Sequence, residues 1–367
     1  MKHWAHNGFK ALTSACVLSM TATVAWSQQP SITWLGVLPY GRWSWAYGVS
    51  ADGAVVVGWS DDAAGQERAF RWENGVMQDL GTLPGGYRSA AFGVSADGAV
   101  VVGWAYNAAG QWRAFRWQNG VMQDLGTLGG NESSALGVSA NGAVVVGGAY
   151  NAARQFRAFR WENGVMQDLG TLGGSESAAR GVSANGAVVV GWAYNAAGQE
   201  RAFRWENGVM QDLGTLGGGR SRAYGVSADG AVVLGGAENA PGQVRAFRWT
   251  VGGGMEDLNI TYASLLTDGS ELWVASAISP DGRYIVGWGY NATTRRWEAF
   301  LLDTRPRCTT HNGDVDANGC VDDADLLAVL SAFGNTGSNL GRVDVNCDQT
   351  VDDADLLQVL FNFGSGC

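Results

Sequence analysis

The chain has 367 residues and a net charge of −10, and beyond residue 27 it contains no Lys and a single His, His311. Residues 28–306 hold no His, Lys or Cys at all. That excludes a Ser-His-Asp or Cys-His site, a Schiff-base lysine and a His-ligated metal there. An acidic chain is not expected to bind nucleic acid, and no later segment offers the ~18 apolar residues of a membrane span.

Residues 1–27 read as a signal peptide. Lys2 and Lys10 give a basic start, residues 11–25 an apolar run, and Ala25 and Ser27 flank a small-residue cleavage site. The mature protein is therefore expected to be secreted, extracellular or at the cell surface, and not transmembrane. From there one phrase recurs. Gly-Val-Ser-Ala-(Asp/Asn)-Gly begins at Gly48, Gly93, Gly137, Gly181 and Gly225, with spacings of 45, 44, 44 and 44 residues. A degenerate copy begins at Ala277. A fixed period of about 40–45 residues marks an array in which each unit buries its apolar faces on its neighbours.

Within the first unit, Asp52-Gly53 lies between two β-prone runs and predicts a type I′ hairpin, with positive φ at both residues. Asn74-Gly75 predicts a second tight turn. Four short strands per unit without helical periodicity fit a propeller blade. The sixth unit lacks a fourth strand, and residues 32–38 resemble the segment from Asp79 to Leu83. The N-terminal strand is thus expected to complete the last blade. The predicted class is all-β: a six-bladed β-propeller closed by the N-terminal strand over residues 28–306. A small helical domain with paired calcium loops follows at 307–367.

Residues shared by every unit are read as structural. Phe70, Phe115, Phe159, Phe203 and Phe247 share a strand face with Trp72, Trp117, Trp161, Trp205 and Trp249, and are expected to pack between blades. Trp59, Trp104, Trp192 and Trp288 share a second position, where two units carry Gly148 and Gly236. Trp43, Trp45, Trp112, Trp273 and Trp297 break the pattern and are candidates for stacking on an extracellular polymer. The repeated acids Asp79, Asp124, Asp168, Asp212 and Asp257 are expected to form interblade or cross-strand pairs with Arg. An alternative enzyme, one degrading extracellular polysaccharide, needs paired acids that the units do not share. The candidates Asp61, Asp62, Glu132, Glu176, Glu238, Asp268, Glu271 and Glu298 are scattered over polar connections. No catalytic residue is assigned.

The segments Leu125 to Gly130 and Arg157 to Leu169 carry Leu-Gly-Thr-Leu-Gly-Gly and x-Ala-Phe-x-Trp-x-x-Gly-x-Met-x-Asp-Leu. With these motifs, residues 33–303 resemble the HAF family of extracellular repeats. The His of that family's name is Arg here (Arg68, Arg113, Arg157, Arg201, Arg245), and Glu298 in the last unit. The resemblance implies an exported, propeller-like array and no activity.

The tail is different. Residues 308–367 hold ten Asp and one Arg. Asp314, Asp316, Asn318, Asp322 and Asp325 stand at positions 1, 3, 5, 9 and 12 of a loop with Gly319 at position 6 and the Cys320 carbonyl at position 7. That is the spacing by which a 12-residue loop wraps Ca2+. Asp344, Asn346, Asp348, Thr350, Asp352 and Asp355 repeat it. There Gln349 stands at position 6 in place of Gly, which makes the second site the weaker. Each loop runs into an apolar-patterned helix. Two loop–helix units of this kind, over residues 313–364, resemble a type I dockerin module. The resemblance implies calcium-dependent docking to a cohesin-type protein, with partner choice read at Asp323, Ala324, Asp353 and Ala354. A cellulosomal cohesin prefers hydroxyl residues there. A plain calcium-stapled cap or surface anchor is the competing reading. Four exported Cys (Cys308, Cys320, Cys347, Cys367) suggest two disulfides with three pairings open; Cys308–Cys367 with Cys320–Cys347 is the preferred one.

The expected function is a secreted, non-enzymatic binding or scaffolding propeller joined to a calcium-dependent docking module. Its expected partners are an extracellular polymer or protein on the ring, and a cohesin-type or cell-surface protein on the tail.

Overall fold

The structure is a computed structural model that describes residues 33–280, 282–304, 312–337, 340–348 and 350–367. The proposed signal peptide, Cys308, His311 and Gln349 lie outside the described residues.

The first blade is an antiparallel meander of β1 (Ser44–Val49), β2 (Val55–Asp61), β3 (Glu67–Glu73) and β4 (Val76–Asp79). Four further sheets repeat it, and a sixth is built from Glu271–Ile278, Tyr284–Asn291 and Arg296–Asp303. The described residues form a six-bladed β-propeller. Asn74 and Gly75 both take positive φ, 50° and 81°, as an Asn-Gly hairpin requires. The Asp52-Gly53 turn differs from the expected type I′, because only Gly53 is left-handed (φ 74°). Four residues close the loop there, with Gly53 N–H donating to Ser50 O at 3.1 Å. Asp52 Oδ1 accepts from Ser50 Oγ and Ala54 N–H, so its carboxylate stabilises the turn.

Blades join by one repeated scheme. Val55, Val57 and Ala69 of blade 1 pack against Ala91, Val101, Phe115 and Trp117 of blade 2. Phe70, Phe115, Phe159, Phe203 and Phe247 are fully buried, and Trp117, Trp161, Trp205 and Trp249 nearly so. A buried serine pins each of the first four junctions, from blade 1 to blade 5. Ser89 Oγ accepts from Ala69 N–H of the preceding blade at 2.9 Å and donates to Gly81 O of the connection at 2.6 Å. Ser133, Ser177 and Ser221 repeat both bonds. Near the axis the inner strands approach so closely that a Cβ on Gly137 would lie 3.1 Å from the Arg180 carbonyl oxygen. A ladder of N–H donations, Ala51 to Ala96, Ala96 to Ala140, Ala140 to Ala184 and Ala184 to Ala228, runs around the same ends at 2.9–3.0 Å.

The junction of blade 6 with blade 1 lacks these features. Ala277 stands where the other units have Gly, and Pro280, at the position of the ladder's alanines, has no N–H to donate. Val286 is 41 % exposed where its equivalent Val57 is 0 %, and Ala46 and Ala299 are exposed where Ala91 and Ala69 are fully buried. The closing strand expected at residues 32–38 is not formed among the described residues, where 33–37 are irregular and the sixth sheet has three strands. The repeat explains the misplacement. Leu38 aligns with Leu83, which follows a fourth strand and does not form one. Position for position, Val76–Asp79 corresponds to residues 31–34, half of which lie outside the description.

The tail core is five fully buried valines, Val321, Val329, Val345, Val351 and Val359. Its helices, Asp323–Ala332 and Asp353–Phe361, start at the capping boxes Asp322/Asp325 and Asp352/Asp355. Cys320 is bonded to Cys367, not to Cys347. That corrects the preferred pairing. Gly364 N–H donates to Val321 O, and Val321 N–H to Ser365 O, so the chain end lies along the first loop and brings Cys367 to Cys320. Cys347 is also disulfide-bonded.

Candidate functional site

The acidic loops converge where the spacing predicted. Carboxylate oxygens of Asp314, Asp316 and Asp325 lie within 4.8 Å of one another, and those of Asp344, Asp348 and Asp355 do the same. Each loop is folded by its own N–H groups. Asp325 Oδ1 accepts from Val315 and Asp316 N–H at 2.6 and 3.1 Å, and Oδ2 from Asp322 N–H at 2.9 Å. Asp355 repeats the arrangement through Asn346 and Asp352 N–H at 3.0 Å each. Burial of Asp325 acts to raise its pKa, but the N–H donations from Asp322, Asp316 and Val315 outweigh it. The carboxyl is held below the usual value.

The other predicted ligands take local roles. Asp322 and Asp352 cap the helices through Ala324 and Ala354 N–H at 2.8 Å. Asn318 Oδ1 accepts from Cys320 N–H at 2.7 Å, and Asn346 Nδ2 donates to Asp348 at 3.0 Å. Thr350 N–H donates to Asp348 Oδ1 at 2.9 Å. Three carboxylates gathered this closely repel one another, and an all-oxygen donor set suits a hard cation such as Ca2+. Arg342 donates to the Val315 and Asp314 carbonyls.

Asp323, Ala324, Asp353 and Ala354 are all exposed. They head matching helical stripes that continue through Leu327 (65 % exposed) and Leu330, and through Leu357 (48 %) and Leu360. The two stripes are equivalent position by position.

On the ring, the non-repeated aromatics gather into groups. Trp45 stacks on Trp59 at 4.5 Å with Trp43 beside it at 6.1 Å, all in blade 1. Trp273, Trp288, Trp297 and Tyr290 cluster in blade 6, with Trp273 and Trp297 4.3 Å apart. Trp112 lies edge-on to Tyr106 at 6.4 Å. Of the repeated Asp residues, Asp79 and Asp212 pair across strands with Arg68 and Arg201 at 3.1 and 3.7 Å, while Asp124, Asp168 and Asp257 accept from the N–H groups of Gly126, Gly170 and Asn259; Arg71 Nε reaches the Gly98 carbonyl of the next blade at 3.0 Å.

Among the non-repeated acids, Asp61, Asp62, Glu271, Glu298 and Asp268 are each held by neighbouring groups. Asp61 accepts from Trp43 and Arg42 N–H at 2.7 and 2.6 Å, and the Trp43 bond leads in keeping its pKa low. Asp62 accepts from Ala64 N–H at 2.8 Å, and Glu271 pairs with Arg245 at 2.8 Å. Glu298 takes Thr294 and Asn291, and Asp268 takes Ser270 and Thr293. Among the described residues the gathered acid clusters are the two in the tail. Sequence reasoning missed Glu200, Arg220 and Arg222, which converge with Glu238 at one cleft. The available signal was that blade 5 departs from the repeat at several positions at once.

No family model matches the chain, and no curated protein matches it. The repeat and dockerin resemblances therefore rest on their motifs. Among solved structures, TolB from Acinetobacter baumannii matches at 13 % identity and TM-score 0.42, over 56 % of this chain and 51 % of that one. The chain thus spans about half the length of that TolB. A putative TolB from Agrobacterium tumefaciens matches at 14 % identity and TM-score 0.47, over 72 % and 91 %. The SapL1 lectin, solved with alpha methyl fucoside, matches at 14 % identity and TM-score 0.38, over 72 % and 97 %. Likeness at this distance assigns neither family nor ligand.

Proposed function

We propose that this is an exported, non-enzymatic binding protein whose ring holds an extracellular polymer or protein and whose tail docks it to another protein once calcium is bound. The observation that carries the reading is the coincidence, twice over, of a carboxylate triad with an exposed helical stripe starting at the same loop. In this reading Asp314, Asp316, Asn318, Asp322 and Asp325, with the Cys320 carbonyl, hold one Ca2+. Asp344, Asn346, Asp348, Asp352 and Asp355, with the Thr350 carbonyl, hold a second and weaker one. Bound cation would relieve carboxylate repulsion and fix the helices, so that Asp323, Ala324, Asp353 and Ala354 present a defined surface to a cohesin-type partner. Surface plasmon resonance of the full chain on an immobilised type I cohesin, with calcium and with chelator, tests the docking. Leu327→Asp with Leu357→Asp should abolish binding. Calcium-independent binding would remove the proposed role of the loops.

The finer form of the fold belongs to the same proposal: the N-terminal strand completes the last blade and closes the ring. Residues 36–44 support it. Ser44 Oγ donates to Gly36 O at 2.7 Å and Gly41 N–H to Leu38 O at 2.9 Å, as Ser89 does to Gly81 and Gly86 to Leu83. The lead-in already has the conformation that follows a fourth strand elsewhere. Closure would also cover an edge that otherwise invites foreign strands. Deleting residues 28–35 should lower the melting temperature of the ring; an unchanged melt would overturn closure.

A further inference from the structure

Blade 5 departs from the repeat at positions that meet in space. Gly236 stands where four units have Trp, Glu238 where Tyr106, Tyr150, Tyr194 and Tyr290 stand, and Arg222 where Ala90, Ser134 and Ala178 stand. Blade 3 also carries Gly, but there Phe156 occupies the space, and a Cβ on Gly148 would lie 2.3 Å from its ring. In blade 5 the residue equivalent to Phe156 is the smaller Val244. A cleft of about 280 Å³ remains, bounded by Glu200, Arg220, Arg222 and Glu238 over Val244 and Val274.

Its charged groups form two pairs of different kinds. Arg222 is clamped: it grips nearly buried Glu200 through both carboxylate oxygens, with Nη2 to Oε2 at 3.0 Å, and lies 5.7 Å over the Trp192 ring. Arg220 and Glu238 face one another at 3.9 Å, too far for a hydrogen bond, while Gly219 N–H holds the second Glu238 oxygen at 3.2 Å. That gap leaves donors on one side and an acceptor on the other. Two Arg and two Glu cancel in charge. An anion would have to displace a carboxylate from its guanidinium and leave it uncompensated, whereas a hydroxyl both accepts and donates and can bridge the pair unbroken. The volume lies just under the roughly 300–1,000 Å³ of sites for drug-sized ligands, which limits the occupant to about one ring.

We propose that this cleft is a binding site for one neutral, hydroxyl-rich ring, a hexose unit, bridged by its hydroxyls between Arg220 and Glu238. The proposal rests on the reading of the ring as a binding domain and gives it a single, non-repeated site.

Titration calorimetry of the full chain with the methyl glycosides of glucose, galactose and mannose, and with methyl glucuronide, tests it. At least one neutral glycoside should bind, and more tightly than the glucuronide. Glu238→Tyr, which restores the residue of the other blades, should weaken binding about tenfold or more, as expected for losing a hydrogen bond to a charged group. Arg220→Ala should do the same, and Glu132→Gln in blade 3 should change nothing. Melting temperatures of the variants should match the parent. Absence of hexoside binding, preference for the glucuronide, or binding that survives both cleft variants would overturn the site. A polymer that binds the ring and ignores Glu238→Tyr would sink this site while leaving the binding-domain reading intact.

Discussion

In the ring, the recurring Phe of the third strand and the recurring junction Ser are removed from water. Phe159 and Ser177 are fully buried, and their equivalents in other blades make the same contacts. In the tail, the recurring residues are carboxylates drawn together in threes, with five small valines as the core beneath them. One region repeats the means of packing; the other repeats a charge problem that packing does not solve. The ring should therefore lose stability through lost packing, and the tail through lost ligands and cross-links. A small module with little buried area depends on such staples.

Four variants sharpen that contrast. Phe159→Ala should have the largest effect on the ring, about 3–5 kcal/mol by denaturant unfolding, with calcium affinity of the tail unchanged. Replacing Cys320 and Cys367 by Ser should destabilise the tail by about 4 kcal/mol in the chain-entropy view of a 47-residue separation, and leave the ring's melt alone. Ser177→Ala leaves the Ala158 N–H without its acceptor and should cost about 1–3 kcal/mol in the ring. A smaller loss than that would mean water reaches the junction.

Asp97→Asn should have the smallest effect. The Ser95 hydroxyl, followed by the Ala99 N–H, holds the Asp97 carboxyl below its ordinary 3.8. The stability this group adds is present above that value and is lost as pH falls through the lower folded-state pKa. Asn141 fills the same position in blade 3 and accepts from Ser139 at 2.8 Å. The variant should melt like the parent at neutral pH and be less sensitive to acid below about pH 4. An equal acid sensitivity would show that this turn does not contribute.

Sequence made the blades legible because Asp-Gly or Asn-Gly recurs between the first and second strands of every blade and between the third and fourth of blades 1–4, and Asn74-Gly75 behaves as that dipeptide should. It misread Asp52-Gly53 because the Ser50 hydroxyl and Asp52 carboxylate support a longer turn, which periodicity does not register. The junction serine was missed because a lone Ser after Gly-Gly reads as solvated connection until a neighbouring blade supplies the N–H. The cleft of blade 5 was missed because Glu200 occupies a position where other blades have Glu67, Trp112 and Phe156, which looks like drift. Loop spacing located the acidic triads directly, since ligand order within one loop is a local property. The disulfide was not local: Cys367 reaches Cys320 only because the chain end lies along Val321.

Calcium titration of the full chain tests the central claim most directly, with heats read by calorimetry and methyl signals of Val321, Val329, Val345, Val351 and Val359 read by NMR. The account predicts two binding events, sharpening of those five valines on binding, and loss of one event with Asp314→Ala and of the other with Asp344→Ala. No heat and no change in the valines would contradict it.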